Sequence, residues 1–350
     1  MAIGTQSIST SEIKPIFCFD TGTQALGTVH AHSNDPSSGD EYATYYTLPV
    51  TSFTMPYNSD SLDNSSNRVG VYGQLEAQGK HRKDLSIWNF DVSFLGTTTA
   101  IRANCLWAFE DLATPIALTP AIGIGNGVTG AMQMLDGADS VNHTTAIFIN
   151  GGTDAAAEDL IVKGATIQSM TLKQDIASEA GQLTIDSTFF TAYKPHEAGD
   201  DTTSDATDSG TPNSIFDLNT GSQGCIQLGG QELQVTSWEI TISRPLARIS
   251  FDPTDADYKP YGYAQTGAWE VTGSVVVKAD NNTYDLITHL KGYSSGINLS
   301  IDGADGFTID LPDVMVDSAT LDLGETHLTH TIPFRAFAAT HSSNIISITY

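Results

Sequence analysis

Apolar and polar residues alternate with period two in two stretches that lie far apart in the chain. Residues 88–94 read WNFDVSF, and residues 269–275 read WEVTGSV. This alternation predicts half-buried β-strands, because successive side chains of a strand point to opposite faces. Each stretch is followed by the apolar spacing of an amphipathic helix, at 97–110 and at 280–291, and threonines can cap the first of these helices.

The later part of each half predicts a β-hairpin. In the first half, residues 167–174 return as 182–192 through a short turn with the sequence Ala-Gly. In the second half, residues 314–323 return as 327–337 through a Gly-Glu turn. Short polar or glycine-containing turns between two alternating runs are typical of antiparallel pairs.

The same patterns recur in the same order, which indicates a duplicated domain. The offset between the echoed segments falls from 185 residues for the first pair to 145 for the last. Such a decrease is expected when the first copy has the longer loops, since lengthening a surface loop costs little closure entropy. The echoed pairs are LPVTSF at 48–53 with LQVTSW at 233–238, 88–94 with 269–275, LDGAD at 135–139 with IDGAD at 301–305, 167–172 with 316–321, and Leu183-Thr184 with Leu328-Thr329.

Composition and the echoes together divide the chain into four parts. Residues 1–46 have no echo in the second half and are predicted to form an N-terminal arm or cover. The two copies occupy 47–194 and 225–350. Residues 195–224 are rich in Asp, Thr, Ser and Gly, and so few apolar groups predict an acidic linker or surface loop.

The charge of the chain excludes several classes of partner. Its 350 residues include 41 acidic and 15 basic ones, for a net charge of −26, which disfavours binding to nucleic acid or anionic lipid. Neither a run of apolar residues long enough for a membrane span nor a secretory signal is predicted. The cysteines, Cys18, Cys105 and Cys225, are few and scattered, so we expect buried thiols and no disulfide framework.

No arrangement of residues points to catalysis, to a metal or to a cofactor. His327 and His330 are three apart on a predicted strand and would point to opposite faces, whereas His30 and His32 have no suitable ligands beside them except Asp35. The Asp-Gly turns at 136–137 and 302–303 lack the ligand spacing of a calcium loop. The glycines at 123–127 lack the strand-to-helix context of a phosphate loop. We therefore expect no enzyme, and no catalytic, cofactor-binding or metal-binding residue is predicted.

Several segments resemble the tail tube proteins of long-tailed bacteriophages. The resemblance lies in the hairpins ATIQSMTLKQDIASEAGQLTIDSTFFTAY and VMVDSATLDLGETHLTHTIPFRAF, and in VTSWEITISRP and GAWEVTGSVVVKADNNTYDLITHL before the second hairpin. It covers roughly residues 48–338. It implies a mainly β chain with two tandem β-sandwich domains of the phage tail-tube type, each with one flanking α-helix.

The resemblance also implies a structural function in the phage virion. Six domains would form a ring, so a chain with two domains would form trimeric, pseudo-hexameric rings that stack into a hollow conduit for DNA ejection. The expected partners are further copies of the chain, the tape-measure protein and proteins of the tail end or baseplate. Double-stranded DNA would pass without specific binding, no membrane or cofactor would be needed, and assembly would occur in the cytoplasm of the bacterial host.

A channel wall that faces DNA should be acidic or neutral, because basic groups bind phosphates and would hold the moving polymer. The candidate lumen-facing residues are Asp91, Asp186, Glu239 and Glu270, which are polar members of alternating strands. For each of them a solvated position on the outer surface is an equally open interpretation. The segments 59–83 and 245–267, together with the arm, are expected to join successive rings.

Two other functions stay open at this level. A different phage structural protein, such as a distal tail, baseplate or capsid decoration protein, would form single rings or trimers and would not polymerise alone. A carbohydrate-binding or adhesive module is a more distant alternative, suggested by the tryptophans Trp88, Trp107, Trp238 and Trp269. Their positions within apolar faces favour core packing over stacking on sugars.

Overall fold

The structure is a computed structural model that describes a defined set of residues. These are residues 14–19, 44–54, 61–63, 79–81, 88–109, 116–118, 145–150, 159–175, 181–191, 196–198, 226–251, 260–279, 297–302, 307–317, 320–322, 328–340 and 343–349.

Nearly all the described elements are strands. In the first half of the chain they are β1 (Lys14–Phe19), β2 (Thr44–Thr47), β3 (Val50–Phe53), β4 (Ser61–Asp63), β5 (Gly79–His81), β6 (Trp88–Leu95), helix α1 (Thr98–Phe109), β7 (Ile116–Leu118), β8 (Thr145–Asn150), β9 (Asp159–Asp175), β10 (Thr184–Thr191) and β11 (His196–Ala198). In the second half they are β12 (Ile226–Leu228), β13 (Gln231–Leu233), β14 (Val235–Ser243), β15 (Leu246–Phe251), β16 (Pro260–Gln265), β17 (Glu270–Lys278), β18 (Ile297–Asp302), β19 (Thr308–Val316), β20 (Thr320–Asp322), β21 (Thr329–Ala336) and β22 (Ile346–Thr349). The prediction of a mainly β fold is confirmed.

One antiparallel sheet, here called the long sheet, runs through both halves of the chain. Its strands follow the order β3, β6, β10, β9, β14, β17, β21 and β20. The two halves meet where β9 pairs with β14, with Asp175 opposite Ser237 at one end and Ser169 opposite Ser243 at the other. Each half therefore contributes four strands in the same order, and no gap separates them.

Each half of the chain also has a second sheet. The long strand β9 belongs to the long sheet and to the second sheet of the first half, and β19 in the same way joins the long sheet to the second sheet of the second half. In the first half the order is β2, β1, β8, β9 and β11. In the second half the order is β13, β12, β18, β19, β22 and β7. The short strand β7 follows α1 in the first half, yet it pairs with β22 of the second half.

The strand registers of the two halves coincide, which supports the interpretation as a duplication. The pairing of β3 with β6 is interrupted between Val50 and Ser52, and the pairing of β14 with β17 is interrupted at the equivalent place, between Val235 and Ser237. In the hairpins, Thr171 lies opposite Asp186 as Thr320 lies opposite Thr331. The duplication itself and the domain limits at 47–194 and 225–350 stay predictions.

Two of the echoed sequence pairs do not mark equivalent positions. Ser52 lies opposite Ser93 and Ser237 opposite Val276, so β6 and β17 correspond with an offset of 183 residues, in place of the 181 that aligns Trp88 with Trp269. A slip of two residues keeps every side chain on the same face, so alternation alone does not detect it.

The second pair concerns the aspartate-glycine turns. Ile149 lies opposite Leu160 as Ile301 lies opposite Ile309, so β8 occupies in the first half the position that β18 has in the second. The counterpart of Ile301-Asp302 is thus Ile149-Asn150. Residues 135–139, which the sequence echo selects, lie outside the described residues.

The predicted arm and linker both contribute strands to the first half. β1 pairs with β2 and β8 as β12 pairs with β13 and β18. The sequence analysis expected no counterpart of residues 1–46 in the second half, whereas β1 corresponds to β12. The correspondence was missed because short strands need only backbone pairing, which leaves little trace in the sequence. Within the predicted linker 195–224, β11 pairs with β9, and residues 199–224 lie outside the described residues.

The helix α1 matches the prediction for 97–110. Thr97 caps it, since its Oγ1 accepts a hydrogen bond from the backbone N–H of Ala100 at 3.2 Å. Inside the helix, Asn104 Nδ2 donates to the carbonyl of Ala100, and Ser187 Oγ of β10 donates to Asn104 Oδ1 at 2.7 Å. The second predicted helix, 280–291, lies outside the described residues.

The core of the first half is built on aromatic side chains. Phe90 and Phe189 stack with ring centroids 5.1 Å apart, and Trp107 of α1 meets Phe189 edge to face at 5.4 Å. In the second half Gly273 lies opposite Phe334, and a side chain at Gly273 would collide with the Phe334 ring and with the carbonyl of Glu239. Trp107 and Trp238 are both buried, so stacking on an external sugar is not available to either.

Candidate functional site: the polar face of the long sheet

The long sheet has one apolar and one polar face. On β14, Trp238, Ile240 and Ile242 are buried, whereas the residues between them are exposed or partly exposed. The same alternation holds on β6. On β10 the buried residues Ile185, Ser187 and Phe189 alternate with the partly exposed Asp186 and Thr188, whereas Phe190 and Thr191 at the end of the strand are both buried. The side that carries the exposed members is called the polar face below.

Polar side chains form rows across this face because the strands are in register. One row crosses seven strands and is rich in hydroxyl groups. It consists of Ser52, Ser93, Asp186, Thr171, Thr241, Thr272 and Arg335. At its centre, where the two halves meet, the hydroxyl groups of Thr171 and Thr241 share a hydrogen bond of 2.8 Å.

All four acidic residues that the sequence analysis selected lie on the polar face. Asp91, Glu239 and Glu270 are exposed and Asp186 is partly exposed. Asp91 and Glu270 belong to one row, at opposite ends of the five strands that it crosses, whereas Asp186 and Glu239 lie in two other rows. The structure thus brings the four onto one surface but does not gather them into a cluster.

Three of these carboxylates form a hydrogen bond or an ion pair with a neighbouring side chain. Thr188 Oγ1 donates to Asp91 Oδ1 at 2.7 Å, and Ser274 Oγ donates to Glu239 Oε1 at 3.2 Å. Asp186 forms an ion pair with Lys173, with 2.5 Å between Nζ and Oδ2. The polar face is therefore a surface of hydroxyls and locally partnered charges.

Sequence reasoning missed the basic residues of this face. Acidic side chains outnumber basic ones on its described part, which carries Asp91, Asp175, Asp186, Glu239 and Glu270 against Lys173, Lys278 and Arg335. The sequence did contain the information needed to place Lys173 on this face, because Lys173 follows Thr171 by two residues on the same strand and the two side chains therefore point to the same side.

Other candidate chemistry finds no support among the described residues. Within them, no group of three His, Cys, Asp or Glu side chains could hold a metal ion. Cys105 is fully buried, and this burial raises the pKa of its thiol far above the ordinary value, so the reactive thiolate does not form. His330 is buried on β21, whereas His30, His32 and His327 lie outside the described residues.

The structure also shows no described helix with the length and hydropathy of a membrane span.

The junction of the two halves contains buried polar contacts that the sequence did not reveal. Trp238 Nε1 of β14 donates to Gln174 Oε1 of β9 at 2.9 Å. Arg244, just after β14, is almost completely buried and donates to the carbonyls of Ile167 and Trp107, at 3.0 Å and 3.3 Å. Its guanidinium also lies over the Trp269 ring, 5.1 Å from the centroid. Arg244 thus ties the second half to β9 and α1 of the first.

Replacing Arg244 with alanine should destabilise the protein strongly. The substitution leaves buried carbonyls without their charged donor and opens a cavity, so we expect a loss of at least about 2 kcal/mol in the free energy of unfolding. Urea denaturation followed by circular dichroism measures it.

The matched control is Arg335→Ala. Arg335 is exposed and its contact with Asp317 is long, at 3.9 Å, so its removal should cost less than about 1 kcal/mol. Equal losses for the two arginine variants would show that Arg244 does not tie the halves together.

The long sheet ends in two edges that pair with no further strand in the described part of the chain. One is the outer edge of β3, which pairs with β6 alone, and the other is the outer edge of β20, which pairs with β21 alone. Exposed edges present unpaired backbone N–H and C=O groups and are templates for another strand.

Comparison with known families gives one match. The family model described as Phage tail tube protein matches residues 78–336, which is most of the chain and includes the long sheet from β6 to β21. No curated protein matches the sequence.

Proposed function

We propose a specific assembly for this chain, which belongs to the phage tail tube protein family: three copies form a ring, and rings stack into a hollow tube through which double-stranded DNA leaves the virion. Membership in the family makes the chain a structural component of the phage tail. The trimeric ring, the stacking and the DNA conduit are the parts that we propose.

The observation that carries the proposal is the continuation of one sheet from β9 into β14. Within the chain, the half that ends in β9 is completed by the first strand of the next half. The long sheet then ends in β20, at the position equivalent to β9, with an edge that pairs with no described strand. If the same junction repeats between chains, each half adds four strands and the sheet closes on itself, so that no edge is left. Six halves in such a ring correspond to three chains.

We place the polar face on the inside of the ring. Asp91, Asp186, Glu239 and Glu270 would then line the channel together with threonine and serine hydroxyls. Lys173 would not bind phosphate freely, because Asp186 already pairs with it. A wall of this kind repels or ignores the DNA backbone, as transit requires.

The ring-to-ring contacts are assigned to the segments 59–83 and 245–267 and to the N-terminal arm. Each of the two segments contains a two-stranded sheet apart from the larger ones, β4 with β5 and β15 with β16. An isolated hairpin is at best marginally stable, so a supporting surface is expected for both.

Further partners follow from the same assignment. The tape-measure protein would lie in the channel during assembly, and proteins of the tail end or baseplate would contact the terminal rings. Assembly would take place in the cytoplasm of the bacterial host, without a cofactor and without catalysis by this chain.

Negative-stain electron microscopy of the purified protein tests the assembly. We expect continuous hollow filaments, and native mass spectrometry of dissociated material should show three chains per ring. Single rings that never stack would favour a distal tail, baseplate or decoration protein. Monomers that bind on a glycan array would favour the adhesive module and would end the tube proposal.

Deletion of residues 59–83 separates ring formation from stacking. Since the segment lies outside the long sheet, the variant should form soluble rings but no long tubes, as sedimentation and microscopy would show. A deletion of the same length within 199–224 is the matched control and should leave tubes intact. Normal tubes from the 59–83 deletion would refute its assignment as a ring-to-ring contact.

The charge of the channel is tested by Glu239→Lys with Glu270→Lys. Tubes of this double variant, assembled with short duplex DNA, should retain DNA that nuclease cannot reach, and salt should release it. Glu232→Lys is the control, because Glu232 is exposed on β13 of the second sheet. DNA held by the control should remain open to nuclease. DNA equally exposed in both variants would contradict the inward orientation of the polar face.

A further inference from the structure

One row of core-facing side chains crosses the junction inside the chain and is entirely apolar. It consists of Phe94, Ile185, Leu172 and Ile240, on β6, β10, β9 and β14. All four side chains are fully buried. Strand β14 therefore closes this part of the core by covering the edge of β9.

The equivalent row of the second half differs at its end. It runs from Val277 of β17 through His330 of β21 to Leu321 of β20, where the described part of the sheet stops. Leu321 is 49% exposed, whereas its counterpart Leu172 is fully buried. A histidine, His330, stands where the first half has Ile185, and it is 7% exposed. The row thus ends in a histidine and an uncovered leucine.

Exposed apolar side chains gather at this end of the long sheet. In the described part of the chain, four large apolar side chains are 43% to 49% exposed: Met315, Leu321, Leu328 and Phe337. All of them lie on β19, on β20 or directly beside β21. Apolar surface concentrated in this way is typical of a site that another protein covers.

The occupant that fits the edge of β20 is β3 of a second copy. LPVTSF at 48–53 and LQVTSW at 233–238 are echoes, and β3 and β14 pair with their following strands with the same interruption. The outer edge of β3 has no partner among the described strands. Phe53 of β3 lies opposite the buried Val92 and is only partly buried itself. Beside β20, β3 would cover Leu321 as β14 covers Leu172.

We propose that β20 accepts this second copy only while His330 is uncharged, so that ring assembly depends on pH. The inference rests on the proposed ring and adds a condition to it. Histidine is the ordinary side chain whose charge changes between about pH 5 and pH 8. An isoleucine at the same place, as in the first half, has no such response.

The surroundings of the imidazole offer nothing that would stabilise a positive charge. Its neighbours across the two adjacent strands are Val277 and Leu321. The nearest charged residues on those strands, Lys278 and Asp322, both lie opposite Thr329, whose side chain points to the polar face. A protonated imidazole at this place therefore depends on water, because burying a charge without a partner is costly.

The free chain and the ring differ in how water reaches His330. In the free chain β20 is three residues long and pairs with β21 alone among the described strands, so this short edge can separate and admit water. In the ring, β3 of the next copy would hold β20 from its other side and close that route. The ring then binds fewer protons at His330 than the free chains do. Acid consequently shifts the equilibrium toward free chains, and assembly is favoured as the pH rises.

Sedimentation of the full chain at about pH 7.5 and about pH 5.5, at one ionic strength, tests this inference. The natural protein should need about tenfold more protein for half assembly at the lower pH, which lies about one unit below the point where an ordinary histidine is half protonated. His330→Ile installs the residue of the first half and should remove this dependence. His330→Gln stays uncharged at both pH values and should also remove it, so the test does not rely on the folding of one variant.

The matched control is His196→Gln, because His196 lies on β11 in the second sheet of the first half. This variant should keep the full dependence on pH. Equal assembly of the natural protein at both pH values, or the same dependence in the His330→Ile and His330→Gln variants, would overturn the inference and leave the ring in place. If the natural protein forms no ring even at about pH 7.5, the proposed function fails, and the inference fails with it.

Discussion

The pairing of β9 with β14 is the contact on which the rest of the structure depends. Without it, β9 would present a row of unpaired backbone groups along Ser169–Asp175, and Leu172 would lose the strand that carries Ile240. The strand that completes one half is also the first strand of the next. The first half is therefore not complete alone, and Leu321 is exposed at the place in the second half where its counterpart Leu172 is buried in the first.

This pairing also fixes how the polar face is organised. Because β9 and β14 are in register, the row that contains Asp186 and Thr171 continues without a break into Thr241 and Thr272. A sheet extended by the same rule carries its hydroxyl groups around any closed ring that it forms. The ion pair of Lys173 with Asp186 shows how such a surface tolerates a cation, since a neighbouring carboxylate occupies it. The proposed channel needs the absence of free cations more than it needs a high density of negative charge.

The features that the sequence predicted are those with a local cause. The alternation in β6 and β14 is a direct record of which face each residue occupies. Asp91, Asp186, Glu239 and Glu270 do share one face of the long sheet, and that this face lines a lumen stays a prediction. The helix α1 was predicted to within a residue or two, because its apolar spacing and its Thr97 cap act over a few residues.

Features with a distant cause were missed or misplaced. The correspondence of β6 with β17 was shifted by two residues, a shift that leaves the alternation unchanged, and β1 was not recognised as the counterpart of β12 because backbone pairing leaves no sequence motif. Arg244 was overlooked since its acceptors lie 77 and 137 residues earlier in the chain.

The differences between the two halves of the chain are more informative than their similarities. Arg244, Trp238 and Gln174 gather at the one junction that forms inside the chain, where no translational freedom is lost when the strands meet. Polar contacts that demand a fixed geometry can form at such a junction. The buried guanidinium of Arg244, which donates hydrogen bonds to two carbonyls, is an example. A junction between chains must first offset the cost of association. In the proposed ring, apolar side chains such as Leu321 would serve that purpose, because they gain free energy from burial over a range of geometries while neighbouring strands settle into register.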